Sequence, residues 1–281
     1  MRARHLFRRF ATGAPAAALI LCALLAAPRP ALAAPAEEFS AAVASLEKGA
    51  FDEAIAQLEL LADQGFVHPD ASFNRAMAYI ERARSPAAEP GDLGRAAAAL
   101  HETLLLRADD DAAEIALERV QAEISRRRSQ KGAKEVISRP TLGRAAAGLV
   151  PENLWAAGAL LGSLSLSAGL LVRRLSRRAG ATLGGAIAVG VGLFLLAACA
   201  AGTAAARHFR LSSRLAVVVV PEAHLLDAAG RPLAPKGDAP KSVPEGSAVY
   251  VTGELAGLAE IEWGATEGYV TRSQLRILAL R

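Results

Sequence analysis

The sequence predicts a multidomain membrane protein built from an all-α domain of helical repeats, a transmembrane α-helical hairpin and a small all-β barrel. Three observations predict it. Residues 42–65 lie over residues 76–111 with a step of 34, a period typical of paired-helix repeats. Two runs, 153–172 and 179–206, carry no charged residue and are each long enough to cross a hydrocarbon core of about 30 Å. After His208 the apolar pattern changes to strict alternation, the period of strands.

The N-terminal stretch, 1–33, reads as a signal peptide. "MRARHLFRRF" is a positive start, "ATGAPAAALILCALLAA" a short apolar core, and "ALA" at 31–33 has small residues at cleavage-site spacing. An uncleaved anchor is the alternative, and both readings export the segment from residue 34 onward. Leu21 stands before Cys22 where lipidation needs a small residue. Charge is divided unevenly. Residues 1–30 hold five arginines and no acid, residues 37–125 hold 18 acids and 7 bases, and residues 126–144 hold 7 bases and one acid. The formal net charge of +4 therefore reflects topology signals and membrane flanks, which argues against a nucleic-acid partner.

Residues 34–128 form the helical domain. Ala42 aligns with Ala76. Gly49, Phe51, Ala54 and Leu58 align with Gly91, Leu93, Ala96 and Leu100 once eight inserted residues, "RSPAAEPG" (84–91), are allowed for. The pattern resembles the tetratricopeptide repeat, in which small residues let two helices approach, larger ones fill the groove, and a glycine makes the turn. Ser45 replaces a usual aromatic and Ala108 a usual proline. A further helix, 111–128, caps the stack, and the run Asp109–Asp111 reads as its acidic N-terminus. The resemblance implies a concave, partner-binding face presenting Phe39, Leu46, Phe73, Met77, Ile80 and Glu81. Asn74 matches a residue that clamps peptide carboxylates in some repeats, but Phe39 and Val43 stand where its clamp partners would be, so Asn74 is read as structural.

A basic linker, 129–152, reads as a solvated tether, with contact to anionic lipid as the alternative. It leads to the two spans. Trp155 sits near one end of the first, where indoles favour the headgroup level. Gly158/Gly162 and Gly180/Gly184 have the spacing of small-residue helix contacts. The loop 173–178 between the spans carries Arg173, Arg174, Arg177 and Arg178, read as a cytoplasmic topology lock.

Residues 207–281 form the β domain, with strands expected at 214–220, 223–227, 248–253, 258–263 and 268–278. "VPEGSAVYVTG" followed by "AEIEWGATEGYVTRSQLRIL" resembles the closing half of bacterial SH3-like domains. Tyr250, Trp263 and Tyr269 form its candidate recognition surface, although a barrel this small needs at least two of the three inside.

No spacing among His5, His68, His101, His208 and His224 suits a metal, and no nucleophile, Walker or dinucleotide motif occurs. The sequence thus predicts neither enzymatic activity nor a cofactor. In order and content it resembles the BatE-type proteins of the bacterial aerotolerance operon. "GDLGRAAAALHETLLLRADDDAAEIALERVQAEI" (91–124) and "GLVPENLWAAGALL" (148–161) carry that likeness. It implies an inner-membrane scaffold with both modules in the periplasm. It also implies protein partners bearing von Willebrand A domains and a MoxR-type ATPase system. A cell-wall peptide or glycan ligand is the alternative.

Overall fold

The computed structural model describes residues 33–132, 141–233 and 242–278. The expected signal segment through residue 32, and positions 133–140 of the linker, lie outside the described residues. Among the described residues the protein is mostly helical, with eight α-helices and a small antiparallel sheet. The chain divides into two compact units, Met1–Phe66 and Val67–Arg281.

The first unit contains the hairpin of α1 (Ala33–Glu47) and α2 (Phe51–Asp63). Ala42, Leu58 and Leu61 form its core, flanked by Phe39 and Phe66. Gly49 makes the turn at a φ of 76°, a left-handed conformation that suits a residue without a Cβ.

The second unit begins with α3 (Pro69–Arg84), α4 (Asp92–Leu106) and α5 (Asp111–Gln130). Gly91 turns the chain into α4 at a φ of 91°, so the two glycines aligned by sequence share one backbone conformation. Ala42, Ala54, Ala76 and Ala96, also aligned, are all fully buried. In this unit the absence of bulk at Ala76 and Ala96 lets the α3 and α4 backbones approach. Arg82 locks their connection. It donates to Asp92 at 2.6 and 3.2 Å and to Glu89 at 2.9 Å, so the buried charge is fully partnered. Asp110 caps α5 by accepting from the Ala113 N–H at 3.0 Å, which accounts for one acid of the 109–111 run.

Among the described residues of the expected linker, both ends are helical. Helix α5 runs on to Gln130, and α6 (Leu142–Gly148) forms a short helix that packs on α8. Helices α7 (Glu152–Leu175) and α8 (Ala179–Ser212) are long and apolar enough to cross a membrane. Leu160, Leu161, Leu164, Leu183, Ile187 and Phe194 leave their outer faces apolar and exposed. Their facing surfaces are lined by glycine. A Cβ at Gly162 would come within 2.5 Å of the Leu196 nitrogen, and one at Gly169 within 2.7 Å of the Gly185 oxygen. Gly158 and Gly202 admit Cys199 and Trp155 in the same way. Ser165 donates across the pair to the Ala188 carbonyl at 3.1 Å. Gly180 and Gly184 meet nothing, so only the first of the two expected glycine pairs packs the hairpin.

Helix α8 continues without a break through residues 207–212, which sequence analysis assigns to the β domain. Its length of 34 residues corresponds to about 50 Å, well beyond a bilayer core. Strand β1 (Arg214–Val218) starts two residues later. It is followed by β2 (Glu222–His224), β3 (Ser242–Pro244), β4 (Ala248–Leu255), β5 (Leu258–Trp263), β6 (Thr266–Thr271) and β7 (Leu275–Ile277). Five of these make one antiparallel sheet in the order β6-β5-β4-β1-β7, and β2 pairs with β3. The expected last strand, 268–278, is two strands. A 3-10 turn at Arg272–Gln274 breaks it and carries β7 across to β1. Alternate residues of β4 and β5 point into a core of Val218, Val249, Val251, Ile261, Trp263 and Val270.

Candidate functional site

A groove of about 300 Å³ lies between α3 and α5. Met77, Ile80 and Arg84 line it from α3, and Ala116, Arg119, Val120, Glu123, Arg126 and Arg127 from α5. The spacings of three, four and seven residues put each set on a single helical face. Leu93 of α4 closes the floor, where Ile80, Leu93 and Val120 are buried. Arginines form the rim. Glu123 accepts from Arg127 at 2.7 Å and pairs with Arg126, and the Arg127 bond holds its carboxyl below the usual range. Arg127 also donates to the Ala83 carbonyl at 3.1 Å, tying α5 to α3. Arg84 pairs with Glu81 at 3.0 Å.

Of the expected concave-face residues, Met77 and Ile80 line this groove, and Glu81 sits at its edge through Arg84. Phe73 and Asn74 are half-buried on α3 and do not line it. The Asn74 side chain donates to the Asp70 carbonyl at 2.8 Å, one turn back on its own helix. Phe39 and Leu46 belong to the other unit, where the Phe39 ring lies 6.4 Å from that of Phe66. By sequence Arg119, Arg126 and Arg127 fall in the expected capping helix 111–128, with Arg126 and Arg127 opening the basic run that continues into the linker. Their spacing of three and four residues from Glu123 is the signal that places them on one helical face.

The three aromatics of the β domain do not form one open surface. Trp263 is buried in the core. Tyr250 lies beneath the Arg144 guanidinium, 3.6 Å from its ring centroid. Tyr269 is half-buried on β6, and its backbone pairs with Leu226 at 2.7 and 2.9 Å. Burial, with Glu260 beside it, pushes its phenol up.

Arg144 is a residue that sequence analysis places in the linker. It donates to Glu262 at 2.7 Å and to the Ser213 hydroxyl at 3.3 Å, and it lies 4.9 Å from the Phe209 ring centroid. Thr141 donates to the same carboxylate at 3.1 Å. The Arg144 bond holds the Glu262 carboxyl below the usual range. A second junction joins α4 to the sheet. Glu245, in the expected Pro-Glu-Gly turn, accepts from the Gly94 N–H at 2.8 Å. It supplies the cap that Gly91, lacking a side chain, does not. Burial pushes its carboxyl up.

Arg173 and Arg174 lie in the last turn of α7, and Arg178 is the N-cap of α8, so the connection is shorter than the expected loop. Among the described residues no group of three or more His, Cys, Asp or Glu side chains is arranged to hold a metal. Comparison with protein-family models, curated proteins and solved structures finds no match to this chain.

Proposed function

We propose that the protein is a non-enzymatic, membrane-anchored scaffold that gathers protein partners, in a bacterial inner membrane with its two flanking modules exported. The observation that carries this is the groove between α3 and α5, which combines a buried apolar floor with polar walls on two rigid helices. Helix-lined grooves of this kind receive partner segments. Helices α7 and α8 supply the anchor, being long and apolar enough to span. The repeat pattern at Gly49, Ala54, Gly91 and Ala96 supports a tetratricopeptide-like module, and the strand pattern after Arg214 an SH3-like one. The likeness to BatE-type proteins extends the proposal to an aerotolerance or envelope-stress complex with von Willebrand A and MoxR-type partners.

The wall-binding alternative draws less support. Trp263 is buried and Tyr250 is covered, which leaves the β domain few open rings to stack on a sugar. The test is purification from native membranes with a gentle detergent. Proteins that accompany the full chain are expected to be lost with Met77→Lys, which places a charge on the groove floor. Recovery of the chain alone, or partners indifferent to Met77→Lys, would overturn the proposal.

A further inference from the structure

The rim of the groove says what kind of segment it receives. Four arginines line it, Arg84, Arg119, Arg126 and Arg127, against one carboxylate, Glu123. That carboxylate is already shared by Arg126 and Arg127. Arg84 has Glu81, and Arg119 makes no ion pair among the described residues. Even with Glu81 counted, the groove keeps a surplus of two positive charges. Arg84 and Arg119 belong to the acidic stretch 37–125, and Arg126 and Arg127 open the basic run that follows it. The floor beneath is apolar, formed by Met77, Ile80, Leu93 and Val120. A merely solvated arginine face has no such floor. A face for single-stranded nucleic acid draws on rings for stacking, and none of the lining residues is aromatic.

Building on the scaffold reading, we propose that this groove receives an acidic amphipathic segment of a partner protein. Apolar side chains of that segment rest on Met77, Ile80 and Val120. Its carboxylates take the free donors of Arg119 and Arg126. The exposed positions of these guanidiniums, Arg126 being 67 % accessible, let them reach a ligand without breaking the helix packing. Arginine suits the task because its planar fork binds carboxylates in pairs.

The test uses the full chain in lipid nanodiscs and a library of random peptides of about a dozen residues, long enough for three helical turns. Enriched peptides should combine Asp or Glu with apolar residues three or four positions apart. Their affinity should fall at least about tenfold in Arg119→Glu/Arg126→Glu and by a smaller, measurable factor in Arg119→Lys, which keeps the charge and loses the fork. It should also fall as salt rises from about 0.05 to about 0.5 M. Both arginines are exposed, and an unchanged far-UV spectrum confirms that the variant folds. Enrichment of neutral or basic peptides, or indifference to the charge reversal, would overturn the proposal. If such peptides still require Met77, the scaffold reading stands and only the acidic chemistry fails. If no peptide depends on Met77 or the arginines, both fail. Light scattering covers the remaining occupant. A self-associated protein whose α1–α2 hairpin crosslinks into the groove of a second copy would also overturn a separate acidic partner.

Discussion

At the scale of single residues, Arg144 joins elements that are distant in sequence. Its guanidinium reaches Glu262 on β5 and stacks on Tyr250 of β4, with both members of the ion pair about 12–13 % exposed. Arg144→Ala leaves Glu262 poorly solvated and uncovers the ring, so it should cost about 2 kcal/mol. Hydrogen exchange of β4 and β5 in detergent is the measurement, and unchanged protection would refute the role. Arg144→Lys should fall between, since lysine keeps the charge without the planar stack. The pH dependence follows from the lowered Glu262 carboxyl. The ion-pair contribution is complete above the ordinary value of 4.5 and disappears as pH falls through the lower folded value, so the gap between wild type and Arg144→Ala should narrow in acid to what the ring stack contributes. Glu245 has the opposite sign. Its folded carboxyl is raised by burial, with Asp92, Arg95 and Arg127 as the charges facing it. Its stabilising share is complete below 4.5 and is lost as pH rises through the folded value. Glu245→Gln retains an acceptor for Gly94 and carries no charge to desolvate. It should therefore match wild type in acid and exceed it at neutral pH, whereas Glu245→Ala, lacking the cap, should lose about 1 kcal/mol. Thermal melts of the three proteins across pH decide this, and a Gln variant weaker than wild type at pH 7 would count against it.

At the scale of elements, glycines decide which surfaces meet. In isolation Gly94→Ala should strengthen α4 by nearly 1 kcal/mol. In the protein its Cβ would lie 2.6 Å from the Val218 carbonyl and 2.9 Å from Glu245 Cγ. The substitution should therefore destabilise and expose the turn at 244–246 to protease, and a gain in stability would show that α4 and the sheet do not dock this closely. The membrane hairpin has a sharper test. A Cβ at Gly158 would lie 3.4 Å from that of Cys199, close to the spacing a disulfide needs. With Cys22→Ser as background, Gly158→Cys should oxidise to an intramolecular crosslink, and Gly184→Cys, which faces open space, should not. The reverse result would discard the helix pairing. These contacts also mark what is legible in the sequence. The helices, the apolar runs and the two-residue period of β4 and β5 announce themselves because each is a local repeat of apolar positions. Gly49 and Gly91 are readable for the same reason, as both end one periodic segment and begin another. The bond from Gly94 to Glu245 spans 151 residues, and Arg144 and Glu262 are 118 apart. Such pairs depend on how finished surfaces fit, and no periodicity encodes them. The groove is half legible for that reason. Met77 and Ile80 follow from the repeat, whereas the pairing of Arg119, Arg126 and Arg127 with α3 depends on how the expected helix 111–128 packs, which no local pattern gives.

At the scale of the molecule, the unbroken α8 makes orientation a single question. Its last turns hold Phe209 and Ser213 lies just beyond, and both contact Arg144, so the β domain is attached to the helix end by side chains as well as by chain continuity. The junction through Gly94 and Glu245 attaches it to the α3–α5 helices too. In the proposed orientation, these attachments keep the groove, the sheet and the far ends of α7 and α8 on one side of the bilayer. The arginines at the hairpin turn then lie on the other. Arg173, Arg174, Arg177 and Arg178 are concentrated in a very short connection, where positive charge is most effective at retaining a loop in the cytoplasm. The flanks of the opposite side are basic as well, with Arg139, Arg144, Arg207, Arg210 and Arg214. Arg144 and Arg214 are neutralised by Glu262 and Glu254, and Arg210 pairs with Glu152 at 2.9 Å, which lowers the effective charge there. The proposed orientation therefore gains from folding what the bare count of arginines withholds. A reporter active only outside the cytoplasm should be silent when inserted after Arg177 and active at the C-terminus. Replacing the four turn arginines with glutamine should yield a mixed population, because the turn then no longer outweighs the arginines that flank the opposite ends of the hairpin. Activity at Arg177 with silence at the C-terminus would invert the protein and place the groove inside the cell.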